Sequence, residues 1–206
     1  MSEHSDRLEE LLRRTRITTK CRYRASERLE RHQRFSQWVV ALISAALVFI
    51  PLLQVFGISA GIGAIYLNAT QATLAVLVLV YSLLLGQENF VSKAQAMHRN
   101  GVELGRFAIK LAGFSGAASD EEYSQLTEQY YNILEKYDNH KPVDYLFTQL
   151  SERPSGATEV IVYLFRMTKA SFYTLLGLSH YVAVLAFVGY IFVALFAGIT
   201  SHIPAN

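Results

Sequence analysis

The chain has 206 residues, is 51% hydrophobic and carries a formal net charge of +2. Its nineteen basic and seventeen acidic residues all fall within residues 1–34 and 88–169, and 35–87 and 170–206 hold none. That segregation excludes a soluble globular protein, whose surface helices need a polar face toward water, and the length left outside the apolar stretches excludes a large enzyme domain. An ionised side chain at the centre of a bilayer costs roughly 2.5–3.5 kcal/mol on insertion scales, so charge-free stretches of this length belong in lipid. The expectation is an all-α membrane protein. It has a two-span helical hairpin, long helices extending into the cytosol, further cytosolic helices, and a third C-terminal hydrophobic span.

Ser5 to Arg34 has no Gly or Pro and is rich in Leu, Arg, Glu and Ala, which predicts a helix. Its apolar face (Leu8, Leu11, Leu12, Ala25, Leu29) is thin and calls for a partner helix or lipid headgroups. Residues 1–34 hold ten Lys and Arg against six Asp and Glu. Arg13, Arg14, Arg16, Lys20, Arg22 and Arg24 form a run with no acid among them. By the positive-inside rule this block places the N-terminal segment in the cytoplasm. A charged region of about 35 residues is too long for a signal peptide. The basic run is a candidate contact for anionic lipid or nucleic acid, and topology explains it equally well. Cys21 has no second cysteine to pair with, which fits a reducing compartment.

The first span runs from about Trp38 to Ile58, since about 20 residues rising about 1.5 Å each cross about 30 Å of hydrocarbon. Trp38 anchors the boundary, and Pro51 predicts a kink. Gly57 to Thr70 reads as the outer turn. The second span runs from about Asn68 to Gly86. Beyond it, Phe90, Ala94, Met97, Gly101, Leu104, Ala108 and Leu111 alternate steps of four and three, a seven-residue seam. The same steps extend back through Gln87, Leu83, Val80, Val76 and Thr73. This predicts one helix of about forty residues, roughly 60 Å long, whose seam is a candidate surface for oligomerisation and for coupling a cytosolic event to the membrane.

Residues 113–118 (GFSGAA) break that helix. Ser119 with Glu122 is a capping box opening a helix that buries Tyr123, Leu126, Tyr130, Ile133, Leu134 and Tyr137 and ends near Asn139, where Pro142 stops it. Val143 to Leu150 reads as a short further helix and residues 151–157 as a linker. From Thr158 the chain is helical and apolar. Arg166 and Lys169 are its last charges, and the run that follows is long enough to span. An interfacial or re-entrant helix is the rival reading.

Few residues suggest chemistry. Gln54, Asn68 and Gln71 lie in or beside the first two spans, where amides line a water-filled path or bond helix to helix; Gln54 is the stronger pore candidate, with Gln71 beside it. His180 is an ionisable group within the third segment, with a neutral histidine bonded to a carbonyl as the plainer reading. Gly57 with Gly61, and Ala41 with Ala45, have the small-xxx-small spacing of close helix contacts. Asp138-Asn139-His140 reads as a site or as a helix end before a proline. Glu88, His98 and Glu103 form no acid–base pair. No metal-ligand spacing, phosphate-binding loop or activated nucleophile is visible. The expectation is therefore no catalytic residue, no cofactor and no metal.

The basic helix with Arg22–Ala25–Arg28–Leu29, the two-span hairpin, the heptad helix running off the second span and the Tyr-rich helix ending in Tyr137-Asp138-Asn139-His140 together resemble the SLATT domains, two-span effector domains that accompany SMODS and SLOG proteins. The similarity covers about residues 5–150 and is nearest the branch encoded beside reverse transcriptases. The resemblance implies an anti-phage effector of the bacterial inner membrane. Such an effector assembles as a homo-oligomeric pore and depolarises the membrane when a partner senses infection. The implied partner is a genetically linked reverse transcriptase or nucleotidyltransferase. The long third hydrophobic segment departs from the two-span pattern. A non-conducting membrane anchor that recruits a cytosolic polymerase is the alternative. A small transporter subunit is disfavoured by the lack of a buried charge pair in the spans.

Overall fold

The computed structural model describes residues 3–56, 63–114, 118–152 and 154–201. Among them are six helices and no strand: α1 (Glu3–Val55), α2 (Ala64–Glu88), α3 (Phe90–Ala112), α4 (Asp120–Glu135), α5 (Pro142–Gln149) and α6 (Ala157–Ser201). Three stretches are long and apolar enough to cross a membrane, in α1, in α2 and in α6. The protein is an all-α membrane protein. The chain divides into two compact units. A charged unit comprises Met1–Arg31 with Phe90–Thr174, and an apolar unit comprises His32–Asn89 with Leu175–Asn206. Helices α1 and α6 contribute to both.

The basic segment and the first span, read separately from sequence, are one uninterrupted helix, α1, that carries Pro51 inside it. Its buried positions follow one repeat: Leu8, Leu11, Thr15, Arg22, Ala25, Leu29, then Ser36, Val39, Ile43, Ala46 and Ile50. Those spacings are threes and fours, with Thr18 and His32 completing the two gaps of seven. This is a 3.5-residue seam along most of the helix. Polar Thr15, Thr18, Arg22, His32 and Ser36 on the seam disguise it in the sequence, where only its leucines stand out.

The predicted forty-residue helix through residues 73–111 is corrected. It is interrupted at Asn89, whose backbone is left-handed (φ 44°, ψ 48°) and whose N–H donates to the Leu85 carbonyl at 3.4 Å. Asn tolerates that conformation better than other non-glycine residues because its short side chain bonds locally. The backward extension of the seam fails with it. Val76, Val80 and Leu83 are exposed, and α2 buries Leu67 and Leu74 instead. The outer turn is also shorter than expected: residues 64–70 are already helical, with the Gly63 carbonyl accepting from Tyr66 and Leu67. Gly57 and Gly61 lie outside the described residues.

In the charged unit, Leu8 and Leu11 of α1 pack with Leu104, Phe107 and Leu111 of α3 and Leu126, Tyr130 and Ile133 of α4. A second cluster joins Ala25 and Leu29 to Ala94 and Met97. Each such side chain taken fully from water contributes about 1.5–3 kcal/mol. The thin apolar face of α1 thus finds its partner helices within its own chain. At Gly101 an added Cβ would meet the Tyr23 ring at 3.1–3.3 Å, so glycine is what lets α1 and α3 approach.

The Ser119–Glu122 capping box forms: Glu122 N–H donates to Ser119 Oγ at 3.2 Å and Ser119 N–H to Glu122 Oε2 at 2.9 Å. Helix α4 ends at Glu135, four residues before the expected Asn139. In the loop that follows, the Asp138 carbonyl is taken by a side chain from α1. Helix α5 starts with Pro142 at its first position, and Asp144 Oδ2 accepts from Lys141 N–H at 2.9 Å.

The apolar unit packs Val39, Ile43, Ala46 and Ile50 of α1, Leu67 and Leu74 of α2, and Tyr181, Val188 and Ile191 of α6 into one cluster. Its outward residues, among them Val48, Leu79 and Tyr190, are large, apolar and exposed. That arrangement suits hydrocarbon as solvent, since water would penalise it.

Candidate functional site: an arginine clamp on the α4–α5 loop

One face of α1 carries Arg22, Ala25, Ser26, Arg28 and Leu29, which between them meet α3, the α4–α5 loop and α5 of the charged unit. Arg22 is only 2% exposed. Its Nη1 donates to the Asp138 carbonyl in the α4–α5 loop and to Met97 Sδ on α3 at 3.5 Å. Ala25 and Leu29 fill the apolar gap against Ala94 and Met97. Ser26 Oγ donates to the Ala94 carbonyl at 2.9 Å. Arg28 forms a two-pronged pair with Asp144 of α5, Nε to Oδ1 at 2.8 Å and Nη2 to Oδ2 at 3.1 Å. Asp144 is 1% exposed, and its carbonyl accepts from Thr148 Oγ1, which in turn lies 3.4 Å from Cys21 Sγ.

Around this clamp sit buried polar atoms with no hydrogen-bond partner: Arg22 Nε, Asn100 Oδ1 and His140 Nδ1. Asn100 is held by one bond, Nδ2 to the Ile133 carbonyl at 2.9 Å. Burial lowers the Arg22 pKa below its ordinary value. Burial, then the positive Arg22 nearby, hold the His140 imidazole below its usual 6.5, with Asp144 pulling weakly the other way. Burial pushes the Cys21 thiol up, away from the thiolate that nucleophilic chemistry needs. Among the described residues no group of three or more His, Cys, Asp or Glu is placed to hold a metal ion. The arrangement can hold or release a helix. It offers no nucleophile with an adjacent base.

The six residues of the basic run do not act as one patch. Arg22 is corrected outright: it is interior and cannot touch lipid headgroups or nucleic acid in this conformation. Arg13 and Arg14 share Glu10, at 2.6 and 2.7 Å, and hold its carboxyl down to about 2. Arg24 pairs with Glu27 at 2.9 Å and Lys20 reaches Glu152 at 4.0 Å. The run holds no acid in sequence, but helical spacing of three and four brings acids from outside it. Arg16 is exposed and lines an open groove with Arg13, Lys20, Tyr145, Glu152 and Arg166.

The seam residues Ala94, Met97, Gly101, Leu104, Ala108 and Leu111 are buried, with Phe90 partly so. They are covered by α1 and α4 of the same chain. In the apolar unit, Gln54, Asn68 and Gln71 come together. Gln71 Nε2 donates to Gln54 Oε1 at 2.9 Å, and Gln54 Nε2 approaches Asn68 Oδ1 at 3.4 Å. These amides tie α1 to α2. His180 is an exposed side chain whose backbone carbonyl accepts from Tyr81 Oη at 3.3 Å. Its neighbour Tyr181 is the inward residue, 3% exposed, with its ring 6.3 Å from Phe35 and 5.9 Å from His32.

Sequence reading missed the roles of Ser26, Asn100, Asp144 and Tyr181. Arg28 was visible only as a letter in a string. A polar residue on the inward side of a heptad was the available signal for Ser26 and Arg22. Nothing local marks Asp144 as the counterpart of Arg28.

A family model described as "SMODS and SLOG-associating 2TM effector domain family 5" matches residues 4–195. No curated protein and no solved structure matches the chain.

Proposed function

This chain belongs to the SMODS and SLOG-associating 2TM effector domain family, and from that premise we propose that it is a pore-forming effector of a bacterial defence system, opened by a partner that acts on its charged unit. The family membership makes it a membrane effector. Pore formation and triggering are our reading. The observation that carries it is the apolar unit itself. Three helices with no charged residue in residues 35–87 and 170–206 pack on one another and expose large apolar side chains outward.

The arginine clamp supplies the trigger. Helix α1 runs without interruption from Glu3 to Val55, so its clamped face and its spanning stretch are consecutive parts of one helix. A partner that loosens the Arg28–Asp144 and Arg22–Asp138 contacts frees α1 to rotate or slide. Coupling then runs through α1 in place of the broken α2–α3 helix. The positive-inside rule favours the cytosolic side for the charged unit, and the effector reading puts the spans in the bacterial inner membrane. The fitting partner is a genetically linked reverse transcriptase or nucleotidyltransferase.

Inducing the chain with that partner, triggering the partner, and following a potential-sensitive dye tests the proposal. Loss of membrane potential is expected. A potential that survives triggering while the chain is present in the membrane contradicts it. A membrane anchor that recruits its partner without conducting is the second reading, favoured by the open mixed-charge groove beside Arg16, Tyr145 and Arg166. It predicts co-purification with an intact potential.

A further inference from the structure

The clamp holds more positive than negative charge. Arg22 is buried, and its recorded bonds go to the Asp138 carbonyl and to Met97 Sδ, not to a carboxylate. Among the described residues Asp144 is the one buried carboxylate. Its Oδ1 accepts from Arg28 Nε, and its Oδ2 accepts from Arg28 Nη2 and from the Lys141 N–H. Arg28 already neutralises it, so an additional cation at this place must share the counter-charge of Arg28.

His140 lies on the chain between the two anchor points, two residues after Asp138 and four before Asp144. Its Nδ1 is buried and makes no hydrogen bond among the described residues. The charges that act on its ring are Arg22 of α1 and Asp144 of α5. The other ionisable groups around the loop offer it no partner. Asp138 and Lys141 are exposed. On α3, Glu103 pairs with Lys136 and accepts from Tyr137 Oη. On α4, the Tyr130 hydroxyl meets Thr18. On α1, burial keeps Cys21 a neutral thiol. A neutral imidazole fits such a place, and burial together with Arg22 favours that form. An imidazolium is a second cation beside Arg22.

We propose that His140 is an acid-operated release for the clamp: uptake of a proton there separates α5 and the α4–α5 loop from α1. The step is a protonation alone, with the proton drawn from the surrounding water. It sets the imidazolium against Arg22, and it sets the imidazolium in competition with Arg28 for Asp144. Moving the loop and α5 into water relieves both, because each charge is then solvated separately. On the reading of the clamp as the trigger, on which this rests, acidification of the compartment bathing the charged unit is an input to the effector.

Cys21 reports the release. It is 0% exposed, and its Sγ lies 3.4 Å from Thr148 Oγ1 on α5, whose hydroxyl donates to the Asp144 carbonyl. Departure of α5 uncovers it, and the chain has no other cysteine. The full chain in detergent is labelled with a dipyridyl disulfide, which reacts with thiols in acid as in neutral solution, and the unfolded chain at each pH gives the reference rate. Relative labelling rises several-fold from about pH 7.5 to about pH 5.5 in the parent. It stays low in His140→Gln and His140→Asn. An Ala108→Cys probe in a Cys21→Ala chain, buried on α3 outside the clamp, stays protected throughout. Low labelling of the parent at both pH values overturns the proposal. An equal rise in either neutral variant overturns it, and so does equal exposure of the Ala108→Cys probe, which signals global unfolding. No ion flow enters this readout. A chain that labels as expected but leaves the membrane potential intact when its partner is triggered keeps the acid release and refutes the pore. The reverse pair of results refutes the acid release alone.

Discussion

Removing the Asp144 carboxylate leaves the Arg28 guanidinium, with 20% of its side chain exposed, without its counter-charge. Breaking one side of a buried pair costs about 3–5 kcal/mol, whereas replacing both partners by apolar groups is far milder. Asp144→Asn therefore lowers the thermal midpoint of the detergent-solubilised protein by more than the Arg28→Met/Asp144→Leu double variant does. Equal midpoints for the single and double variants would contradict the clamp. His140 gives a pH signature. Its imidazole is held below its ordinary 6.5 in the folded chain, so below that pH the unfolded chain binds a proton that the fold resists. The stabilisation is therefore complete above about pH 6.5 and fades as the pH falls toward the folded value. Thermal midpoints fall more steeply between about pH 7 and pH 5.5 for the parent than for His140→Gln, and parallel slopes would sink the assignment. Three of the four residues in these contacts stood in legible strings, Arg22 and Arg28 in Arg22–Ala25–Arg28–Leu29 and Asp138 in Asp138-Asn139-His140, while Asp144 stood in neither. Their meaning was not legible, because Arg22 meets Asp138 and Arg28 meets Asp144 each 116 residues away.

Helix boundaries marked by local chemistry were readable. The Ser119 box and Pro142 sit where hydrogen bonding and ring geometry put them. The break at Asn89 was not readable, because an unbroken apolar alternation ran through it and asparagine is a weak stop. Its left-handed backbone makes a direct prediction. A residue with a Cβ and no local hydrogen bond pays about 1–2 kcal/mol there, and glycine is free of that strain. Asn89→Ala therefore destabilises while Asn89→Gly does not, as hydrogen exchange of the amides flanking residue 89 reports. Faster exchange in the glycine variant than in the alanine variant would contradict the assigned conformation. The inward seam of α1 was hidden for the opposite reason: its repeat is complete, but threonine, serine, histidine and arginine occupy it.

For the molecule as a whole, charge distribution alone gave the helical membrane class, because the cost of burying an ion in lipid acts on composition before any fold is specified. What composition left open is which apolar faces meet their own chain. The α3 seam is consumed internally by α1 and α4, while the outward faces of α1, α2 and α6 are not. Lipid around residues 35–56, 64–87 and 175–194 is the premise on which the effector reading and the clamp as trigger both rest. The most direct measurement is sedimentation. Membranes from cells making the full chain are washed with alkaline carbonate, and the chain is then centrifuged at high speed without detergent. It should stay entirely in the pellet and be released only by surfactant. A folded, monodisperse chain in the detergent-free supernatant would contradict the account.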